Sequence, residues 1–179
     1  MNIFLSVLIG LFGTSFVRAA EPAATPPKEI TARSVMSEID FKGAAEIIKL
    51  YARPENDKRW MEILKKIEMG NPEWLDVAAK LRPAADGYLA EGLVSAIHDV
   101  FPKEPERILE RIGKGFTIEE VCGEGAVEEE TKRATIAALK KIRNALLATE
   151  MPSVQKQKED CLVQLDHQIK ETAKWKNEK

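Results

Sequence analysis

The chain has 179 residues, 44% of them hydrophobic, and its 27 Lys and Arg stand against 29 Asp and Glu for a net charge of −2. That length supplies one domain with room for a tail, and the balanced charge excludes the basic excess that nucleic-acid binding requires. Two His and two Cys are too few for a zinc finger or a set of clustered metal sites, so no cofactor is expected.

Residues 3–12 read IFLSVLIGLF and are followed by Phe16-Val17-Arg18-Ala19-Ala20. An apolar run ending in small side chains spaced as Val17 and Ala19 predicts a secretory signal peptide over residues 1–19, cut after Ala19 or Ala20. A membrane anchor is the competing reading. It needs ~20 apolar residues, more than this glycine-interrupted run contains. The expected location is therefore periplasmic or secreted, with no membrane span left after cleavage. Residues 20–33 begin AEPAATPPK, whose prolines and small residues predict an extended linker. A single helical domain is expected over residues 34–176.

Export sets the chemistry of the cysteines. In an oxidising compartment Cys122 and Cys161 are expected to form a disulfide, and closing a loop of roughly 40 residues contributes ~4 kcal/mol by chain entropy. Free thiols and a catalytic thiol are the alternatives, and pairing between two chains satisfies the same chemistry. No Cys-x-x-Cys is present.

The predicted helices run in chain order. The first opens at Ser34, is interrupted at Phe41-Lys42-Gly43 and resumes over residues 44–52. Pro54-Glu55-Asn56-Asp57 opens the next, with Trp60, Ile63, Leu64 and Ile67 at i, i+3, i+4, i+7 on its buried face. Gly70 suits the left-handed position that ends a helix, and Asn71-Pro72 suits the N-cap and first turn of another. That helix carries Trp74, Leu75, Ala78 and Leu81 and ends at Pro83. From Asp86 runs a helix whose apolar residues are Tyr88, Leu89, Leu93, Ile97 and Val100; Ile108, Leu109 and Ile112 come after Pro105. Thr117 and Glu120 have the spacing of a capping box before Cys122. A long helix is expected over residues 127–149, with Glu128, Glu129 and Glu130 in its first turns and a stripe of Ile136, Leu139, Ile142 or Arg143, and Leu146. Pro152-Ser153 opens the last helix, with Val154, Cys161, Leu162, Leu165 and Ile169 on one side. No segment alternates as a strand does. The fold class is therefore all-α: an irregular multi-helix bundle or short α-hairpin stack of about seven to eight helices with one disulfide.

Residues 70–122, with Gly70-x-Pro72-x-Trp74-Leu75, Leu81-x-Pro83-x-x-Asp86, Pro102, Pro105 and an acidic pair shortly before Cys122, resemble a group of small exported helical proteins of Gram-negative bacteria with no assigned function. The resemblance covers about a third of the chain. It implies export and helices, and it carries over no catalytic residue.

Several patterns could carry chemistry. Ser153-x-x-Lys156 has the spacing of a serine nucleophile and its lysine, but the partner motifs of that enzyme class are missing; an N-cap serine is the simpler reading. Glu119, Glu120, Glu124, Glu128, Glu129 and Glu130 form an acidic cluster that fits either a solvated helix end or a docking patch for a cationic partner. Calcium would need a tighter carboxylate loop. Trp175, in the polar tail, is the aromatic best placed to anchor a partner, whereas Trp60 and Trp74 belong to core stripes. His98 and His167 lack the spacing of a metal site. The expectation is a non-catalytic protein that binds another protein; an immunity or inhibitor protein against an envelope-acting effector fits at the level of fold class. An envelope hydrolase acting on cell wall or peptide, and a structural or chaperone-like envelope factor, are the alternatives. Oligomeric state is left open.

Overall fold

The computed structural model describes residues 30–123 and 131–174. Over these the chain is all-α: α1 Ala32–Lys42, α2 Ala44–Tyr51, α3 Asp57–Ile67, α4 Pro72–Leu81, α5 Gly87–Val100, α6 Pro105–Leu109, α7 Ile118–Cys122, α8 Lys132–Ala148 and α9 Gln155–Lys174. Single 3-10 turns at Pro54–Asn56, Arg82–Ala84 and Pro152–Val154 each carry a proline at their first or second position. These nine helices exceed the seven to eight expected because Gly43 divides the first into α1 and α2. A bridge between Ile112 and Phe116 closes the Gly113-Lys114-Gly115 turn between α6 and α7.

The helix ends are written locally. Gly70 has φ 73°, the left-handed geometry that ends α3's extension, and the Asn71 side chain then accepts from the Glu73 N–H at 2.9 Å to start α4. Thr117 and Glu120 cap α7 reciprocally, as the spacing predicts. The first helix begins at Ala32, two residues before its expected start and inside the expected linker. Thr31 rather than Ser34 is its N-cap: Ser34 sits three residues on and closes a capping box back to Thr31. Helix α8 begins at Lys132 behind the Thr131 cap, not at residue 127. Glu128, Glu129 and Glu130 lie outside the described residues, and the described first turn of α8 carries no acidic residue.

Packing runs in two stages along the chain. Helix α1 packs on α4 and α2, α3 packs on α5 and α4, and their buried residues belong to one apolar core to which α6–α9 also contribute. Helices α6 and α7 follow, and α8 and α9 fold back on each other as a hairpin that meets α6 and α7. The α3 stripe of Trp60, Ile63, Leu64 and Ile67 is buried throughout, as is Trp74 on α4. The Tyr51 ring lies 5.6 Å from the Trp60 ring, centroid to centroid, a spacing at which aromatic pairs add stabilisation beyond their buried area.

Two stripes differ from expectation. On α5 the buried line is Leu89, Leu93, Ala96, Ile97 and Val100, and Tyr88 stands 53% exposed. One residue before Leu89 is about 100° around a helix, so Tyr88 leaves the core face. On α8 Thr135, not Ile136, joins Leu139, Ile142 and Leu146 inside. The Thr135 hydroxyl donates to the Thr131 carbonyl at 3.2 Å, which removes most of the penalty for burying it.

Cys122 and Cys161 form the disulfide, with Cα atoms 5.2 Å apart. Both are fully buried, and the bond ties α7 to α9.

Candidate functional site

Of the candidate contact residues read from the sequence, Glu119 and Glu120 are the two among the described residues. Glu119 is exposed on α7, but both Glu120 oxygens are occupied. One accepts from the Thr117 N–H at 2.8 Å, and the other pairs with Arg82, which also donates to the Ala85 carbonyl. Glu120 therefore holds α7 to the end of α4 and does not present a free charge. Glu124, Glu128, Glu129, Glu130 and Trp175 lie outside the described residues.

The Ser-x-x-Lys pair is not assembled. Ser153 Oγ donates to Glu106 Oε1 at 2.5 Å, and exposed Lys156 donates to Asp160 Oδ2 at 2.8 Å. Ser153 serves as a tie between the start of the α9 segment and α6.

His98 is built into the seam between α5 and α7. Its Nε2 lies 3.2 Å from the Val121 carbonyl; a carbonyl only accepts, so Nε2 carries the proton. Burial is the main cause that pushes the imidazole down to about 4, against weaker opposing pulls from the Val121 and Glu120 backbone and Asp99. His98 is thus neutral at pH 7, a structural donor to the residue next to the disulfide. His167 is exposed on α9. Among the described residues no group of three His, Cys, Asp or Glu side chains could hold a metal ion, and no helix is long and apolar enough to cross a membrane.

Arg111 is a cation with no signature in the sequence. Its side chain is 9% exposed and pairs with Asp76 and Glu110, each at 2.8 Å. It also donates to the Arg107 and Pro72 carbonyls. These contacts clamp the start of α4 to α6 and leave no charge for a ligand.

What the fold does present is a groove between α3 and α5, enclosing about 620 Å³, within the range of ligand pockets. Ala52, Pro54, Trp60, Met61, Leu64 and Tyr88 line it, with Trp60 and Leu64 buried as its floor and Met61 and Tyr88 exposed. Met61 is 61% exposed, so two large apolar side chains flank the opening. Gly92 lets α3 close on α5 at the groove's edge. A β-carbon there would approach Leu64 Cδ1 to 2.9 Å and Trp60 Nε1 to 3.6 Å.

The back wall of the groove is stiffened from behind. Arg59 lies over the Tyr51 ring, 5.6 Å from its centroid, and bonds Glu38 of α1 at 2.6 Å. Burial raises the Tyr51 phenol above its usual range, so the ring stays neutral beside Trp60. Tyr88 Oη lies 3.5 Å from the Tyr51 carbonyl, which steers the exposed ring along the groove edge. The sequence did carry a signal: Tyr88 and Gly92 are four apart on a helix that faces the Trp60 stripe. It was masked because Tyr88 reads as core by composition.

No family model, no curated protein and no solved structure matches the chain.

Proposed function

We propose that the chain is an exported helical protein that acts by binding another protein without catalysis, and that the α3–α5 groove is its contact surface. An inhibitor or immunity role against an envelope-acting effector is the form of this reading that fits a small disulfide-stapled domain. The single observation that carries it is the groove itself: Met61 and Tyr88 stand exposed above an apolar floor. Large apolar and aromatic side chains gathered around a pocket are the usual anchors of protein recognition. The buried disulfide supports export, because such bonds persist in oxidising compartments.

Two measurements test the reading. Expressed in Gram-negative cells, the protein should be recovered from the periplasm with its N-terminus at Ala20 or Glu21; an uncut cytoplasmic product overturns export. A photoreactive amino acid placed at Met61 should join one dominant protein in the cells that make the chain, while the same group at Lys141 on α8 should not. Equal joining from both positions, or none from Met61, overturns the groove as the contact surface. Joining to many proteins from Met61 alone would favour the chaperone-like alternative.

A further inference from the structure

The groove has a chemical preference beyond its apolar character. Asp57 is the charged residue among those that line it, and its carboxylate has no ion pair or hydrogen bond among the described residues. It sits four residues before Met61 on the same face of α3. Neither neighbouring cation pairs with it among the described residues: Lys58 is one position round the helix from Asp57, and Arg53 makes no ion pair with Asp57. The floor offers a second polar feature. Trp60 is 2% exposed, and its indole N–H, close beside Gly92, has no acceptor among the described residues. A donor held this way is costly to leave unpaired once a ligand displaces water.

We propose that the groove takes a peptide segment bearing a bulky aliphatic or aromatic side chain with a Lys or Arg close by in sequence. The apolar side chain enters between Met61, Leu64 and Tyr88. A backbone carbonyl of the segment accepts from Trp60 Nε1, and the cation pairs with Asp57. Every peptide supplies the carbonyl, so selectivity comes from the apolar group and the charge. This rests on the groove being a protein-contact surface.

A random heptapeptide phage library selected on the purified full-length protein tests it. Enriched peptides should share a large apolar residue with Lys or Arg within three positions. A synthetic peptide of that consensus should bind about tenfold more weakly to Asp57→Lys, where the cation meets a like charge. It should bind about threefold more weakly to Asp57→Asn at low salt, the size expected of an exposed ion pair. Tyr88→Ala should weaken any groove ligand whatever its charge, and because Tyr88 is exposed the variant should fold. Enrichment of apolar peptides without a cation, sensitive to Tyr88→Ala but not to Asp57→Lys, overturns the charge preference and leaves the groove reading standing. No enrichment, or peptides indifferent to both variants, overturns both. Selection blocked by self-association, with Met61 joining a second copy, replaces the peptide by a homodimer and overturns the preference.

Discussion

The α1–α6 body and the α8–α9 hairpin are both helical, yet they are held by different forces. The largest fully buried side chains, Trp60, Tyr51, Phe101 and Phe116 foremost, all lie between Ile47 and Phe116. The hairpin buries no aromatic residue among those described. Its interior includes Thr135, Gln168 and Thr172, and the Thr172 hydroxyl has no partner among the described residues. Apolar volume stabilises the first region at about 25 cal/mol per Å² removed from water. The second has less of it and is tied by the covalent link, Cys122–Cys161, from α9 to α7. A small helical pair with a thin core gains most from such a staple, because the link acts on the unfolded chain and needs no buried area.

The sharpest way to break this comparison is to remove the staple. Replacing Cys122 and Cys161 together by Ala should cost ~4 kcal/mol. Amide exchange should then accelerate across α8 and α9 well before α3 and α5. Uniform acceleration would mean the two regions unfold as one unit and that the contrast is only one of composition. A cut into the other region comes next. Leu93→Ala, at a fully buried site, should cost ~3 kcal/mol, read as a lowered urea midpoint. It should expose α1–α5 and the hairpin alike, since the hairpin docks on that body.

Acid probes the seam. Folding holds His98 at about 4, while the unfolded imidazole takes its proton near 6.5. Above pH 6.5 the contribution is therefore complete. As pH falls from 6.5 towards 4 the unfolded state binds the extra proton, and about 2 kcal/mol should be lost by pH 5. Urea titrations at pH 7 and pH 5 measure this, and His98→Gln should flatten the difference. A slope that survives the substitution would assign acid sensitivity to another group. The smallest effect is expected at Thr172. Thr172→Val removes an unpaired buried hydroxyl and should stabilise the hairpin by ~1 kcal/mol, raising Tm. A loss instead would mean that the hydroxyl has a partner, and that the hairpin is better satisfied than its described contacts indicate.

What was legible in the sequence was local. The Trp60 stripe, the Gly70-Asn71-Pro72 junction and the Thr117–Glu120 box each depend on neighbours within one or two turns. The cysteine pairing followed from there being two cysteines and from the expectation of export. What escaped depended on distant partners. Tyr88 is apolar by type, and only the approach of α3 to Gly92 turns it into a groove wall. Arg111 reads as a surface cation until α4 and α6 close around it. Glu120 counted as part of an acidic face until Arg82, 38 residues away, occupied it. Charge density along the chain is legible in a sequence, whereas the groove is made by shape across it.

The disulfide also changes what a broken backbone means. Residues 123–160, including all of α8, lie inside the ring that Cys122 and Cys161 close. A protease that cuts once anywhere in that span adds one water and leaves a single covalent molecule. Such a nick is invisible on a non-reducing gel and splits the protein in two when thiol is added. A digest run both ways would therefore map cleavage inside the ring separately from cleavage outside it.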